Sequence, residues 1–370
     1  MKRILVSVTN DLITDQRVHK VCTTLAQMNF DVLLIGRRFK NSELINRNYN
    51  TTRMKLLFTS GFLFYAEYNL RLFFKLLFLK KDILLSNDLD TLLPNYIISK
   101  LFNKKLVYDS HELFTEVPEL INRPFVQKFW LRIEEFILPK LKNFYTVNNI
   151  IAKIYTSKYN IPVYVIRNLA PIYNKGNIDI DFLKIIKGDQ NMLIIQGSGI
   201  NADRGAEETV EMMQYLKDTL LYIIGSGDVF ETLKAKIKSL KLERKVILLN
   251  KMNYTELMKF TEIADIGISL DKNTNLNYEF SLPNKVFDYI QAGTPLLVSN
   301  RKNVAELVSE NNIGKVTNTH NPKELANIVS EMLKNKQEYN IWCENLNKTA
   351  AVYNWENESK NLKKIFNNLK

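Results

Sequence analysis

The segment from Asn277 to Gly293, NYEFSLPNKVFDYIQAG, concentrates residue types that can do chemistry. Ser281, Pro283 and Asn284 read as a turn opening a helix, and Gly293 reads as its C-cap. A helix N-terminus presents unsatisfied N–H groups and the positive end of the helix dipole, which makes it a ready phosphate site. Lys285 adds a full positive charge in the first turn, where a cation is unfavourable unless it serves an anion. Asp288 lies about one turn further on the same face, where a carboxylate can accept hydrogen bonds from a ribose diol. The same residues also fit a well-capped helix with two solvated charges, and spacing alone leaves both readings open.

Other candidates are more isolated. His111 follows Val107-Tyr108-Asp109 at the C-terminal end of an expected strand, where α/β ligand crevices lie. Its titration range permits proton work, but a lone histidine is more often structural than catalytic. His19, His111 and His320 show no paired spacing, and Cys22 and Cys343 are far apart. Neither a zinc site nor a disulfide framework is therefore expected. Asp88-Leu-Asp90 has the spacing of a metal-binding acid pair but follows a first-half strand, so it is read as shaping the acceptor side rather than holding a metal.

These residues need a scaffold of alternating strands and helices. Strands are expected at 2–9, 31–36, 53–58, 82–87, 104–109, 143–147 and 163–167 in the first half. In the second half they are expected at 191–196, 219–224, 245–249, 266–270, 294–299 and 313–317. They are continuous apolar runs, the pattern of strands covered on both faces of a parallel sheet. Val18, Val21, Cys22 and Leu25 form the apolar stripe of a helix near 15–28. Asn253 with Glu256, and Asn321 with Pro322 and Glu324, open two more helices as capping patterns. Two doubly wound α/β domains follow, at 1–170 and 188–350, with a linker near 168–188. Residues 351–370 are expected to form a terminal helix packing back on the first domain.

The chain has 370 residues and a formal net charge of +12. The first 165 residues hold 24 Lys and Arg against 14 Asp and Glu, so the excess sits in the first half. Such a surface favours acidic partners, namely phosphorylated substrates, anionic lipid or nucleic acid, although a compositional bias toward Asn, Ile and Lys explains the excess equally well. No signal-peptide pattern follows Met1, and Glu67, Arg71 and Lys75 interrupt the apolar run 56–79, so no spanning helix is expected. The expected location is the cytoplasm. Residues 58–81 mix Phe and Tyr with Arg71, Lys75, Lys80 and Lys81. They fit either a core helix with snorkelling lysines or an interfacial helix in peripheral contact with the inner membrane.

The ordered set of motifs resembles glycosyltransferase family 4, the retaining enzymes of the GT-B fold. Within that family it is closest to the branch with a Leu-Pro-Asn-Lys-x-Phe-acid-Tyr donor motif, here Leu282 to Tyr289. NDLITDQRVHK (10–20) resembles the family's opening loop and helix, and DSHELF (109–114) its first-domain histidine motif. QGSGINADRG (196–205), which contains Gly197, resembles the phosphate-gripping loop. IIGSGD (223–228) and NKMNYTEL (250–257) resemble the nucleotide-side loops that follow. The resemblance implies two Rossmann-like domains facing across a cleft. It gives Arg204 the donor diphosphate, and Ser281, Leu282 and Asn284 the distal phosphate. Lys285 adds charge there, Asp288 holds the ribose hydroxyls, and His111 hydrogen-bonds the transferred sugar. His111, Arg204 and Lys285 are the expected catalytic residues.

Two positions depart from the family pattern. The first of its two spaced glutamates falls on Phe280, with Glu279 one position away. The arginine that often follows the loop glycine is Ser198 here, and Lys285 is expected to replace its charge. The implied function is retaining transfer of a sugar from a nucleotide-diphosphate sugar, with UDP favoured, to a glycan or lipid-linked acceptor in cell-surface polysaccharide synthesis. Neither a cofactor nor a metal is implied. A nucleotide-sugar 2-epimerase is the alternative enzyme. A basic nucleic-acid-binding protein is the alternative outside enzymes, disfavoured because no recognised motif for it occurs.

Overall fold

The computed structural model describes residues 1–13, 15–40, 42–174 and 180–369. The chain divides into two compact units, one formed by Met1–Asn168 with Asn357–Lys370, the other by Leu169–Glu356. The first domain contains β1 (Arg3–Ser7), β2 (Asp31–Arg38), β3 (Asn50–Lys55), β4 (Ile83–Asn87), β5 (Lys105–Ser110), β6 (Asn143–Thr146) and β7 (Tyr164–Val165). The second contains β8 (Asn191–Gly197), β9 (Thr219–Gly225), β10 (Val246–Asn250), β11 (Ile266–Ser269), β12 (Leu296–Ser299) and β13 (Gly314–Thr317). Each expected strand is present, with ends displaced by a few residues. The largest displacement is β3, which starts at Asn50 and ends at Lys55 because the more apolar residues 56–58 lead instead into the next helix.

Strand order is β3-β2-β1-β4-β5-β6-β7 in one sheet and β10-β9-β8-β11-β12-β13 in the other. All pairings are parallel, for example Ile4 with Ile83 and Ile194 with Tyr222. The order reverses between β1 and β4 and between β8 and β11. Open α/β sheets bind ligands at such switch points, beyond the carboxyl ends of the strands.

The apolar runs are covered on both faces. Along β8, Leu193 and Ile195 join a core with Val210, Leu233 and Val329, while Met192 and Ile194 join another with Phe287, Tyr289 and Ile290. Alternation along the strand divides its side chains between these two layers. Each large aliphatic side chain buried in this way contributes about 1.5–3 kcal/mol. The helix Asn284–Ala292 belongs to the second layer, with Val286, Phe287, Tyr289 and Ile290 buried and Gly293 capping it at φ 72°. It seats closely because β11 carries Gly267, where a Cβ would lie 2.5 Å from the Tyr289 ring. Core packing thereby determines where the N-terminal turn of this helix points.

The first domain is pinned by a buried ion pair. Arg17, on the helix Gln16–Gln27, donates from Nε and Nη2 to the Asp109 carboxylate at 3.0 and 2.6 Å, and from Nη1 to the Ile166 carbonyl at 2.9 Å. Both side chains are almost fully buried. One residue thus ties a helix to β5 and to the end of β7.

The segment 168–188, expected as a linker, includes 175–179, which lie outside the described residues. It also contains the helix Asp181–Lys187, which the mixture of charges and turn residues did not suggest. The helix Trp355–Asn367 follows, and most of it belongs to the first unit: Phe366 is buried with its ring 6.2 Å from that of Phe30, and Glu358 pairs with Arg167 at 3.0 Å. Removing one partner of the buried pair leaves the other charge uncompensated. Asp109→Asn is therefore expected to destabilise the first domain by about 3–5 kcal/mol, read as a lower urea midpoint.

Candidate active site

Gly197, Arg204, Ser281, Leu282, Asn284, Lys285 and Asp288 all lie in the second domain, on the loops after β8 and β11 and on the helix after the latter. Lys285 is the most informative of them. Its side chain is only 8% exposed, in the first turn of the helix Asn284–Ala292. Among the described residues its ammonium has no hydrogen-bond or ion-pair partner. Burial draws its pKa down, the nearby Asp271 raises it and Arg204 lowers it, with a net decrease. A buried cation at a helix N-terminus, with a second cation close by, is an unfavourable arrangement in the free protein and a favourable one around an anion. The helix supplies its own donors there, because the first residues of a helix have no intrahelical acceptor for their N–H groups.

Arg204 ends the loop 198–204 that follows β8. Its guanidinium lies 4.7 Å from the centre of the Tyr278 ring, on the helix Leu276–Phe280 that leads into the Ser281–Asn284 turn. Arg204 and the Ser281–Asn284 turn are therefore brought together. The loop after β8 also packs on the loop after β9. Ile200 N–H donates to the Ser226 carbonyl at 2.9 Å, and Ser226 N–H to the Gly197 carbonyl at 3.2 Å. Gly225 permits this contact: its φ is 149°, and a Cβ would lie 1.7 Å from the Gly197 carbonyl oxygen.

Asp288 is held from two sides. Gln196 Nε2 donates to one carboxylate oxygen at 3.0 Å and the Tyr254 hydroxyl to the other at 2.9 Å. Burial and then Asp288 raise the pKa of Tyr254, keeping it a donor. A carboxylate has about four lone-pair sites, so both oxygens retain capacity to accept from hydroxyl groups. The Ser281 hydroxyl donates to the Tyr278 carbonyl at 3.0 Å, Leu282 packs on the core and Asn284 is exposed.

Several neighbours were not singled out from the sequence. Asp271, just beyond β11, is nearly fully buried beside Lys285. Arg301 donates from Nε to the Asp271 carbonyl at 3.1 Å and pairs through Nη1 with Glu279. The structure thus engages Glu279 with Arg301, and Phe280 occupies the departed glutamate position. Asp271 and Arg301 both follow strand C-termini, the one local signal that marks them. Tyr254 was visible only as part of a capping pattern. Among the described residues, no group of three or more His, Cys, Asp or Glu side chains is placed to hold a metal ion.

His111 belongs to the first domain, at the end of β5. Its Nδ1 lies 3.0 Å from Asp88, and its Nε2 lies 3.3 Å from both Asp109 and the Asn87 side-chain oxygen. Burial alone would lower its pKa, but Asp88 and Asp109 outweigh it and hold the ring charged well above the ordinary histidine range. An imidazolium with both N–H groups facing acceptors has no lone pair with which to act as a base. Hydrogen bonding to a sugar requires Nε2 to leave its longer contacts. Asp88 is itself strained, at φ 55° and ψ 169°, a region otherwise reserved for glycine. Its carboxylate is secured there by the His111 N–H at 2.8 Å as well as by the ring. Asp90 is buried nearby and accepts from Thr9 at 2.6 Å across the β1–β4 switch point. Burial and then Asp88 push its pKa up to about 7.

Two doubly wound parallel-sheet domains, the second with a basic helix N-terminus and a carboxylate held beyond its switch point, are the architecture of the GT-B fold. Residues 179–349 match the family model described as glycosyl transferases group 1. The second domain is thus of glycosyltransferase type, and the protein is a glycosyltransferase in class. No curated protein sequence matches the chain. Among solved structures, sucrose-phosphate synthase from Thermosynechococcus elongatus is similar over 100% of this chain and 99% of its own, with a TM-score of 0.82 and 14% identity. HepE from Anabaena, solved with UDP and glucose, is similar over 100% of both chains, with a TM-score of 0.76 and 14% identity. A putative UDP-N-acetylglucosamine 2-epimerase from Listeria monocytogenes covers 95% of this chain and 96% of its own, with a TM-score of 0.60 and 12% identity.

Two outcomes follow from these electrostatics. Replacing the buried ammonium by an apolar isostere removes a charge whose desolvation the nearby Asp271 only partly offsets. Lys285→Met is expected to stabilise the ligand-free second domain by about 1 kcal/mol or more, measured by urea unfolding. In the folded state Asp90 retains a proton between its ordinary pKa and about 7, whereas the unfolded chain has released it. Stability of the first domain should therefore fall as pH rises through that window. Asp90→Asn should remove that part of the fall in a pH series of thermal melts. His111, raised in the folded state, adds its own loss only as pH climbs above the ordinary histidine value.

Proposed function

We propose that the protein is a retaining glycosyltransferase that moves a sugar from a UDP-sugar to a hydroxyl of a glycan or lipid-linked acceptor. The observation that carries this reading is Lys285, buried at a helix N-terminus with no hydrogen-bond or ion-pair partner among the described residues and close to Arg204. A diphosphate satisfies both cations and the free N–H groups at once. In this reading Asp288, just under one turn further along and already oriented by Gln196 and Tyr254, accepts the ribose hydroxyls. The HepE structure with UDP and glucose supports a uridine nucleotide donor.

In the reaction the bond from the anomeric carbon to the diphosphate breaks, and positive charge grows on the sugar ring as negative charge grows on the leaving phosphate. Arg204, Lys285 and the N–H groups of Leu282 and Asn284 stabilise that developing charge, and their fixed orientation requires little rearrangement during the step. The acceptor hydroxyl attacks from the face the phosphate leaves and passes its proton to a phosphate oxygen, so the anomeric configuration is retained. Synthesis of a cell-surface polysaccharide is the matching setting. A 2-epimerase is the second reading, supported by the likeness to the Listeria protein. It predicts isomerisation of UDP-N-acetylglucosamine with no acceptor present.

A thermal-shift panel of UDP, GDP and ADP tests the donor site, because a ligand that binds only the native state raises its stability. UDP is expected to raise the melting temperature, with smaller effects from GDP and ADP. Lys285→Ala and Asp288→Ala are each expected to weaken UDP at least ~10-fold, in keeping with the loss of a charge-assisted contact. A folded protein that responds to none of the three nucleotides refutes the proposal.

A further inference from the structure

Just beyond β11, at the switch point of the second sheet, the domain holds a carboxylate in place and gives it no hydrogen bond. The Asp271 side chain is 3% exposed. Among the described residues neither of its carboxylate oxygens accepts a hydrogen bond, and Oδ1 is shielded from water. Native proteins rarely bury a polar group that nothing satisfies, because the desolvation is costly. Loose placement does not account for it, since the backbone on either side is tied down. Arg301 Nε donates to the Asp271 carbonyl at 3.1 Å, Lys272 N–H donates to the Asp203 carbonyl at 2.7 Å, and His320 Nε2 lies 3.2 Å from the Leu270 carbonyl. Gly205 lets the loop after β8 come this close, because a Cβ there would lie 2.5 Å from the Leu270 carbonyl oxygen. The Lys272 ammonium pairs with Glu208. A fixed backbone under an open acceptor is how a binding group is preorganised.

The neighbours define what Asp271 can accept from. The charges that act most on the Lys285 ammonium are those of Asp271 and Arg204. A counter-ion for Lys285 would close to ion-pair distance, and no such pair forms among the described residues. Two cations suited to a diphosphate therefore stand beside an acid with open lone pairs. A bare anion is repelled by that acid, whereas a ligand with hydroxyl donors next to its phosphates satisfies all three groups. Glu279, the other acid near the Ser281–Asn284 turn, is engaged by Arg301. We propose that Asp271 reads the transferred sugar by accepting hydrogen bonds from its hydroxyl groups, with Arg301 holding the Asp271 backbone in place and withdrawing Glu279 from that role. The inference rests on the UDP-sugar reading of this site and adds the residue that discriminates among sugars. A buried acceptor of this kind penalises a donor whose sugar leaves it unpaired.

Isothermal titration calorimetry with UDP, UDP-glucose, UDP-galactose and UDP-N-acetylglucosamine tests it, read as the Kd of each sugar nucleotide divided by the Kd of UDP. For the sugar nucleotide that the unaltered protein binds most tightly, Asp271→Ala is expected to raise this ratio about 10-fold or more. Asp271→Asn, which keeps one acceptor oxygen, should raise it less. UDP has no sugar, so its own affinity should not fall in either variant, which also reports that both are folded. A ratio that both substitutions leave unchanged overturns the inference while the donor site stands. So does a ratio that Glu279→Gln raises more than Asp271→Ala does, which would return the role to Glu279. An unaltered protein that binds none of the four nucleotides removes the donor site and this inference together.

Discussion

A parallel sheet cannot leave either face in water, and the rest of this structure depends on that constraint. Every crossover must return over one face, so helices cover both sides and the strands become continuous apolar runs. Polar chemistry is then confined to the strand ends. In the second domain the ends of β8, β9 and β11 hold the loops with Gly197, Arg204, Gly225 and Asp271. In the first, the ends of β1, β4 and β5 hold Thr9, Asp88, Asp109 and His111. Tyr289 illustrates the dependence, because its ring seats a helix over Gly267 and thereby sets the direction of the turn that immediately precedes the buried Lys285.

The two domains treat buried charge in opposite ways. Arg17 and Asp109 satisfy each other through two hydrogen bonds, and Ile166 takes a third guanidinium donor. His111 extends the network, so three ionised side chains and the strained Asp88 are secured together. Lys285 has no such partner. Its desolvation is a standing cost to the folded second domain, and it makes sense as the place where a ligand's charge completes the electrostatics. Sites that sacrifice stability for preorganisation commonly show this imbalance.

Much of the architecture was legible because it is written locally. Period and composition marked the strands, and Asn253, Asn321 and Gly293 marked helix ends through chemistry within a few residues. The partners of the candidate site residues were not legible. Gln196 and Asp288 are 92 positions apart, as are Arg17 and Asp109, and no local pattern reports a contact at that distance. Sequence placed Glu279 only one position from the family's glutamate, and the fold delivers Arg301 to it. Residues 58–81 supported both a core and an interfacial reading because the helix is apolar on both faces. The structure shows one face packed and the other exposed.

The helix Trp355–Asn367 joins a core whose other members were synthesised long before it. Phe366 reaches Phe30, and the Leu369 carbonyl accepts from Lys2 and Lys105 at 3.2 and 2.9 Å. During translation the first sheet must therefore wait, with part of its apolar cover missing, while the whole of 169–356 leaves the ribosome. The intervening domain is continuous in sequence and needs nothing made after it. The usual order of N-terminal domain first is thus inverted here: the second domain closes before the first is complete. For that interval the nascent chain presents an unfinished hydrophobic surface near its own beginning, where a chaperone would find its most persistent target.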